Sequence, residues 1–387
     1  MTAVDRRQFV RGAAMAPVAA QMWWSRAKEE EKRRLLLVGT QTLTGPSKGI
    51  YAYRWDPETG ELHEAGLAAE SKNPTFLAVD PVANYLFAAN ELDDFGGEKS
   101  GAVSAFAIDA AAGKLTAINQ VSALGAGTCN VTVDAEGRAV FCANYVGGSV
   151  SSFVIDPNGQ ISDAVSHFQY HGHGPNPSRQ EAPHAHRVTV SPGRRFLLVN
   201  DLGLDCIHIY RLDDVSAKLT PNTPSRWDSA PGSGPRALRF HPNRRIAYCV
   251  CEMASTVVVL DWDPKKGTLK AVQTLSLIPE DYHGPTRGCD IVLTRSGRFA
   301  YAANRDYDCL VSFTVDPKDG TLTMLARSSC GGKVPRHLAL DPTERWLLVA
   351  NEQSDNIAVF ARDERTGKLA ETGKSFAQAK PQCLVWA

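Results

Sequence analysis

Short apolar runs alternate with polar positions along most of this chain, and the alternation returns with a period of about fifty residues. Each return has one shape. An apolar run carries an aromatic or β-branched residue, an Asp or similar polar residue follows, and a turn ends in Gly-x-Leu or a close variant. Seven copies are visible: GIYAYRWDPETGEL (49–62), GAVSAFAIDAAAGKL (101–115), GSVSSFVIDPNGQI (148–161), DCIHIYRLDDVSAKL (205–219), STVVVLDWDPKKGTL (255–269), DCLVSFTVDPKDGTL (308–322) and DNIAVFARDERTGKL (355–369). A repeat of this size means a solenoid, a propeller or an array, because one supersecondary unit cannot bury its apolar face alone. Alternation broken by Gly, Pro and Asp turns, with no long helical stretch, favours an all-β propeller.

A second motif precedes most copies: strand, Asp-Pro-type turn, strand, then Asn with a charged or polar residue. It reads NPTFLAVDPVANYLFAANE at 73–91, GPRALRFHPNRRIAYCVCE at 234–252, GCDIVLTRSGRFAYAANR at 288–305 and VPRHLALDPTERWLLVANE at 334–352. Two strands from each motif give four antiparallel strands per blade, and six blades are complete within the chain. The seventh is split. PQCLVWA (381–387) looks like a first strand with nothing after it, and LLLVGTQ (35–41) like a second strand with nothing before it. Pairing them closes a seven-bladed ring and removes the exposed edges of an open array. A β-solenoid or two stacked sandwiches would leave that complementarity unexplained.

Residues 1–34 stand apart from the repeat, which leaves 35–387 as a single propeller domain. The stretch DRRQFVRG (5–12) is close to a twin-arginine export signature and runs into the modestly apolar AAMAPVAAQMWW. That run is too short for a permanent membrane span. The expectation is a removable leader and a periplasmic or secreted protein without a membrane anchor.

With 387 residues, 43% hydrophobic content and a formal net charge of zero, the chain has the composition of an ordinary globular protein. Basic residues are spread among the blades, so nothing supports a nucleic-acid partner. Nine cysteines, an odd number scattered through apolar strand contexts such as Cys142, Cys249 and Cys251, suggest buried thiols rather than a disulfide scaffold or a zinc site.

Chain direction locates the chemistry. The innermost strand of each blade runs into the Asp-Pro turn and the second returns, so the start of one and the end of the other share a mouth. Alignment on the turn puts Thr75, Cys129, His186, Arg236, Cys289, Arg336 and Gln382 at the start of the innermost strand. The next position holds Phe76, Asn130, Arg187, Ala237, Asp290, His337 and Cys383, and the ends of the second strands hold Glu91, Tyr145, Asp201, Glu252, Arg305 and Glu352. Imidazoles, guanidiniums and carboxylates at one opening suit hydrolysis of an oxygen-rich or anionic ester. A base activates water and an arginine stabilises the oxyanion. Each such residue could also serve a structural salt bridge.

The longest insertion, HFQYHGHGPNPSRQEAPHAHRV (167–188), carries five of the ten histidines, among them the pairs His171/His173 and His184/His186. In a strand such pairs share a face and could chelate, but no Cys or carboxylate completes a recognisable ligand spacing. A flexible Gly/Pro-rich loop with polar substrate contacts is the stronger reading, and no metal or other cofactor is expected.

On these residues the sequence resembles the seven-bladed propeller lactonases, a family that includes 6-phosphogluconolactonases and carboxy-cis,cis-muconate cyclases. The resemblance covers about residues 35–387 and is carried by RQEAPHAHRVTVSP, VNDLGLDCIHIY, GPRALRFHPNRRIAYCVCE, RFAYAANRDYDCLVSF and VPRHLALDPTERWLLVANEQSDNIAVF. It implies metal-independent hydrolysis of a sugar lactone, with the HAH histidine at His186, the GPR arginine at Arg236, the second-strand glutamate at Glu252 and the NR arginine at Arg305. Glu252 or His186 would activate water, and the two arginines would stabilise charge. Arg179, His184, Asp290, Asn304, Arg336 and His337 are the candidate substrate contacts. Two departures stand out: Ala237 replaces the family's usual His after GPR, and Asn130 follows Cys129 where Cys-His is common. Export would also point to an unphosphorylated lactone. The competing readings are a muconate-type lactone cyclase and a non-catalytic envelope-binding propeller, which would present apolar patches at the mouth. The expected partner is a small lactone, and the expected assembly a monomer.

Overall fold

The computed structural model describes residues 34–387, and the expected leader lies outside them except for Arg34, which opens the first strand. Among the described residues there are strands and turns only, arranged as seven four-stranded antiparallel sheets. In chain order, blades 1 to 6 begin with the innermost strands Pro74–Val79, Thr128–Val133, Ala185–Val190, Pro235–Phe240, Arg287–Leu293 and Pro335–Leu340. Blade 7 takes its innermost strand, Pro381–Trp386, from the C-terminus and its other three, Arg34–Thr40, Gly49–Asp56 and Glu61–Glu70, from the start of the described chain. Leu36 faces Trp386, Leu37 faces Val385 and Val38 faces Leu384 in that junction. Each innermost strand packs beside the next, from Pro74–Val79 round to Pro381–Trp386 and back. The ring is closed, so the solenoid and stacked-sandwich arrangements do not apply.

The repeat explains itself physically. The turn residue Asp80 accepts the backbone N–H of Tyr85 at 2.7 Å, and Asp341 does the same for Trp346 at 2.9 Å, which fixes the reversal between the first two strands. The Gly of Gly-x-Leu serves two needs. Gly267 has φ +68°, and a Cβ there would sit 2.4 Å from the Phe196 ring of the preceding blade; Gly367, at φ +73°, would meet Phe299 at 2.2 Å. The Asn ending the second strand locks the blade to the segment arriving from the preceding blade. Asn90 donates to the Lys72 carbonyl at 2.7 Å, and Asn144 to that of Ala123 at 3.1 Å.

Apolar side chains gather in seven clusters, one between each pair of neighbouring blades. In one of them Phe196, Leu198 and Ile207 of blade 3 meet Leu238, Cys249 and Trp262 of blade 4. All nine cysteines are free thiols, eight of them buried and Cys129 half-buried at the axis.

Candidate active site

One irregularity, repeated seven times, builds the site. The pairing of first and second strands skips a residue at the same mouth in every blade. It does so between Pro74 and Phe76, Thr128 and Asn130, Ala185 and Arg187, Pro235 and Ala237, Gly288 and Ile291, Pro335 and His337, and, in the closing blade, Pro381 and Cys383. A β-bulge leaves one residue unpaired and re-aims its side chain. The residues bulged out are Thr75, Cys129, His186, Arg236, Arg336 and Gln382, with Cys289 inside the wider break of blade 5. Simple alternation would send one of two successive residues into the blade. Here Thr75 and Phe76, Cys129 and Asn130, and His186 and Arg187 line one cavity in successive pairs.

That cavity has a volume of about 170 Å³ and is lined by six arginines, two glutamates, His186 and Tyr145 among others, a formal excess of four positive charges. Glu252 is its electrostatic centre. The carboxylate is 3% exposed and meets Arg179 Nη2 at 2.6 Å, Arg236 Nε at 3.0 Å and Arg305 Nη2 at 2.5 Å. Burial pushes its pKa up, but Arg305, Arg236, His186 and Arg179 outweigh burial and hold it well below the usual carboxylate range. Only the Arg179 contact is an aligned hydrogen bond. Arg236 Nε and Arg305 Nη2 touch Glu252 as close charges, and together with Arg305 Nε they are buried without an aligned acceptor. Arg236 is anchored from its other arm by donating Nη1 to the Cys289 carbonyl.

Burial and then Arg236 push the pKa of His186 well below that of free histidine, with further lowering by Arg336 and Arg305. The imidazole is therefore neutral at pH 7. Tyr145 helps set its place, with the His186 ring edge-on at 5.6 Å and the His184 ring stacked at 4.5 Å.

One residue deeper, Arg187 donates to Asp290 at 3.2 Å and lies 5.0 Å over the Phe76 ring. His337 Nε2 is 3.7 Å from the same carboxylate, and His337 Nδ1 accepts the Leu384 N–H at 3.3 Å, which places the imidazole proton on Nε2. Phe76 and Arg187 thus form the cavity floor, backed by Asp290 and His337.

Comparison with known proteins identifies the family. The family model described as "Lactonase, 7-bladed beta-propeller" matches residues 35–386. The chain is 35% identical over 347 residues to the 6-phosphogluconolactonase of Bacillus subtilis (strain 168), covering 90% of this chain and 96% of the relative. The chain belongs to the seven-bladed β-propeller lactonase family. Another member, the 6-phosphogluconolactonase of Formosa agariphila, is 30% identical over 353 residues, covering 90% of this chain and 96% of its own. Among solved structures, the periplasmic gluconolactonase of Pseudomonas aeruginosa superposes with a TM-score of 0.86 at 32% identity, covering 92% of this chain and 99% of its own.

Within this lactonase-family ring the other expected contacts fall into three places. Arg179 and Arg336 line the cavity. His184, Asp290 and His337 stand behind its wall. The His184 side chain supports Tyr145 and bonds Glu181 at 3.1 Å, while Asp290 and His337 neutralise and brace the floor. Asn304 is a blade lock of the same kind, donating to Ser255 of the preceding blade and to Thr286 at 2.9 Å each, as Asn90 donates to Lys72 and Asn144 to Ala123. The insertion is pinned rather than loose. Fully buried Gln180 accepts the Asn176 N–H and donates to the Leu202 carbonyl, which presents Arg179 to Glu252. The pair His184/His186 flanks Tyr145 instead of converging on a common point, and His171 and His173 are exposed. Arg287, a cavity residue held by two 2.7 Å bonds to Asp306, precedes the aligned ring position in blade 5 and carried no signal in the repeat.

Proposed function

We infer that the protein hydrolyses a sugar lactone at this mouth of the ring. The observation that carries the reading is the pair of buried guanidiniums, Arg236 and Arg305, which line the polar cavity and whose N–H groups beside Glu252 have no aligned acceptor. Such donors match the position where negative charge develops on a carbonyl oxygen under attack. The names of the Bacillus and Pseudomonas relatives support a gluconolactone-type substrate.

The roles follow from charge state. Glu252 is clamped by three arginines and is a poor proton acceptor, so it acts as the anchor that keeps Arg179, Arg236 and Arg305 in place. Neutral His186 takes a proton from the attacking water as its oxygen bonds to the lactone carbonyl carbon. Arg236 and Arg305 hold the resulting oxyanion. When the ring C–O bond breaks, His186 returns the proton to the departing alkoxide and the product is a hydroxy acid. Its depressed pKa weakens it as a base and strengthens it as the acid in the second step.

Two finer points belong to the same proposal. Arg6 and Arg7 within Asp5–Gly12 form an export signal that delivers the propeller, residues 35–387, to the periplasm or beyond. An exported enzyme then meets unphosphorylated lactones. The test is pH-stat hydrolysis of δ-gluconolactone and its 6-phosphate by full-length protein. A rate above spontaneous hydrolysis that falls about a hundredfold in Arg236→Ala is expected. No enzymatic rate on either lactone overturns the reading.

A further inference from the structure

The hydrolytic roles above use one side of the cavity: His186, Arg236, Glu252 and Arg305. The opposite side is also polar, and it is built from the blades next to the ring closure. Gln382 is the bulged residue of the closing strand Pro381–Trp386, is 4% exposed and lines the cavity. Its Oε1 accepts Arg336 Nε at 2.8 Å. That contact fixes the amide, because the flipped rotamer would set two N–H donors against each other. The group left over is Nε2, which is buried and has no hydrogen-bond partner. A buried amide donor without an acceptor is destabilising, and native folds keep few of them.

On the adjacent blade Glu91 lines the same cavity, with its Oε2 held by the Thr75 hydroxyl at 2.7 Å. A fixed donor and a fixed acceptor therefore stand on neighbouring blades, away from the guanidinium cluster around Glu252. A hydroxyl group both accepts and donates, so this pair matches the hydroxyls on a sugar ring. An unsubstituted hydrocarbon lactone offers nothing to either group.

We propose that Gln382, together with Glu91, forms the subsite that reads the ring hydroxyls of the substrate, making Gln382 a specificity-determining residue carried by the strand that closes the propeller. The proposal rests on the sugar-lactone reading and names which side of the cavity holds the polyol. Truncation of such a donor is felt by substrates that bond to it and much less by those that cannot.

The experiment compares wild type, Gln382→Glu and Gln382→Leu. Gln382→Glu keeps size and the acceptor for Arg336 while removing the donor, and thermal unfolding of each variant checks that the ring stays closed. The first readout is the ratio of kcat/KM for δ-gluconolactone to that for δ-valerolactone, which is expected to fall about tenfold or more in both variants, mainly through KM. The second is calorimetric binding of glucono-δ-lactam, which is not hydrolysed on this timescale, and its Kd is expected to weaken by a similar factor. A ratio that stays within twofold of wild type, or a wild type that does not bind the lactam, overturns the subsite. Lactam binding that depends on Gln382, in a wild type that turns over neither lactone, would instead leave the subsite standing and remove the hydrolytic reading.

Discussion

Two buried ionic clusters lie near the propeller axis, one lining the mouth and the other behind the cavity floor. The upper one gathers Arg179, Arg236 and Arg305 on a single carboxylate, Glu252, and keeps guanidinium N–H groups without aligned acceptors. In the lower one Arg187 and His337 share Asp290, which also accepts the Leu338 N–H, and Phe76 covers the guanidinium. The upper cluster is over-positive and opens on a cavity; the lower is internally compensated and closes it. Bulged Arg236, the insertion residue Arg179 and the second-strand ends Glu252 and Arg305 make the first, and innermost-strand residues next to the bulges make the second. Buried charge marks function only where its partners leave capacity for a ligand.

That contrast can be broken by substitution. The largest effect is expected in the floor. Asp290→Ala leaves Arg187 buried without its carboxylate, which should cost about 3–5 kcal/mol in denaturant unfolding. In the mouth, Arg305→Ala should fold nearly as wild type yet lower kcat/KM about 10²- to 10³-fold, the range found when one oxyanion donor is removed. Next, His186→Gln should lower kcat about 10²-fold. In wild type the acid limb of kcat/KM should lie below pH 6.5, because the folded pKa of His186 is depressed, and that limb should vanish in the variant.

A smaller effect concerns stability. Burial pushes the His337 pKa down to about 4, against the attraction of Asp290. Its unfolded value is about 6.5, so the unfolded chain binds the proton first and stability falls as pH drops from about 6.5 towards 4. His186 acts in the same direction. His337→Gln should therefore show a shallower decline of Tm between pH 7 and pH 4.5 than wild type. Smallest of all, Tyr145→Phe, which removes a hydroxyl bonded by Arg179, should change kcat/KM by a few-fold because ring packing on His184 and His186 is kept.

Much of this was legible in the chain. The repeat and the complementary ends, PQCLVWA and LLLVGTQ, already specify the closed ring, because strand alternation and Gly or Asp turns are local properties. The alignment also names the residues around the mouth. It does not reveal the bulge, which is a property of pairing between two strands, and so gives no reason why residues at successive positions both reach the axis. For the same cause Asp290, His337 and His184 looked equivalent to Arg336, although they stand behind the wall. Asn304 drew attention beside Arg305, but its recurrence as Asn90, Asn144 and Asn351 is the mark of a blade lock. The choice between Glu252 and His186 as base needed the distances to three guanidiniums. Arg287 and Gln382 required coordinates, the first for lying off the aligned ring and the second for its unpartnered amide.

The most direct measurement is the pH-stat kcat/KM of Arg305→Ala and Asp290→Asn on δ-gluconolactone, each normalised to the folded fraction of the sample. A loss of about a hundredfold or more at Arg305 and of less than about tenfold at Asp290 is predicted, since in the proposed mechanism only the upper cluster meets the reacting atoms. Equal losses at the two positions would contradict the division of the axis into a reactive mouth and a supporting floor.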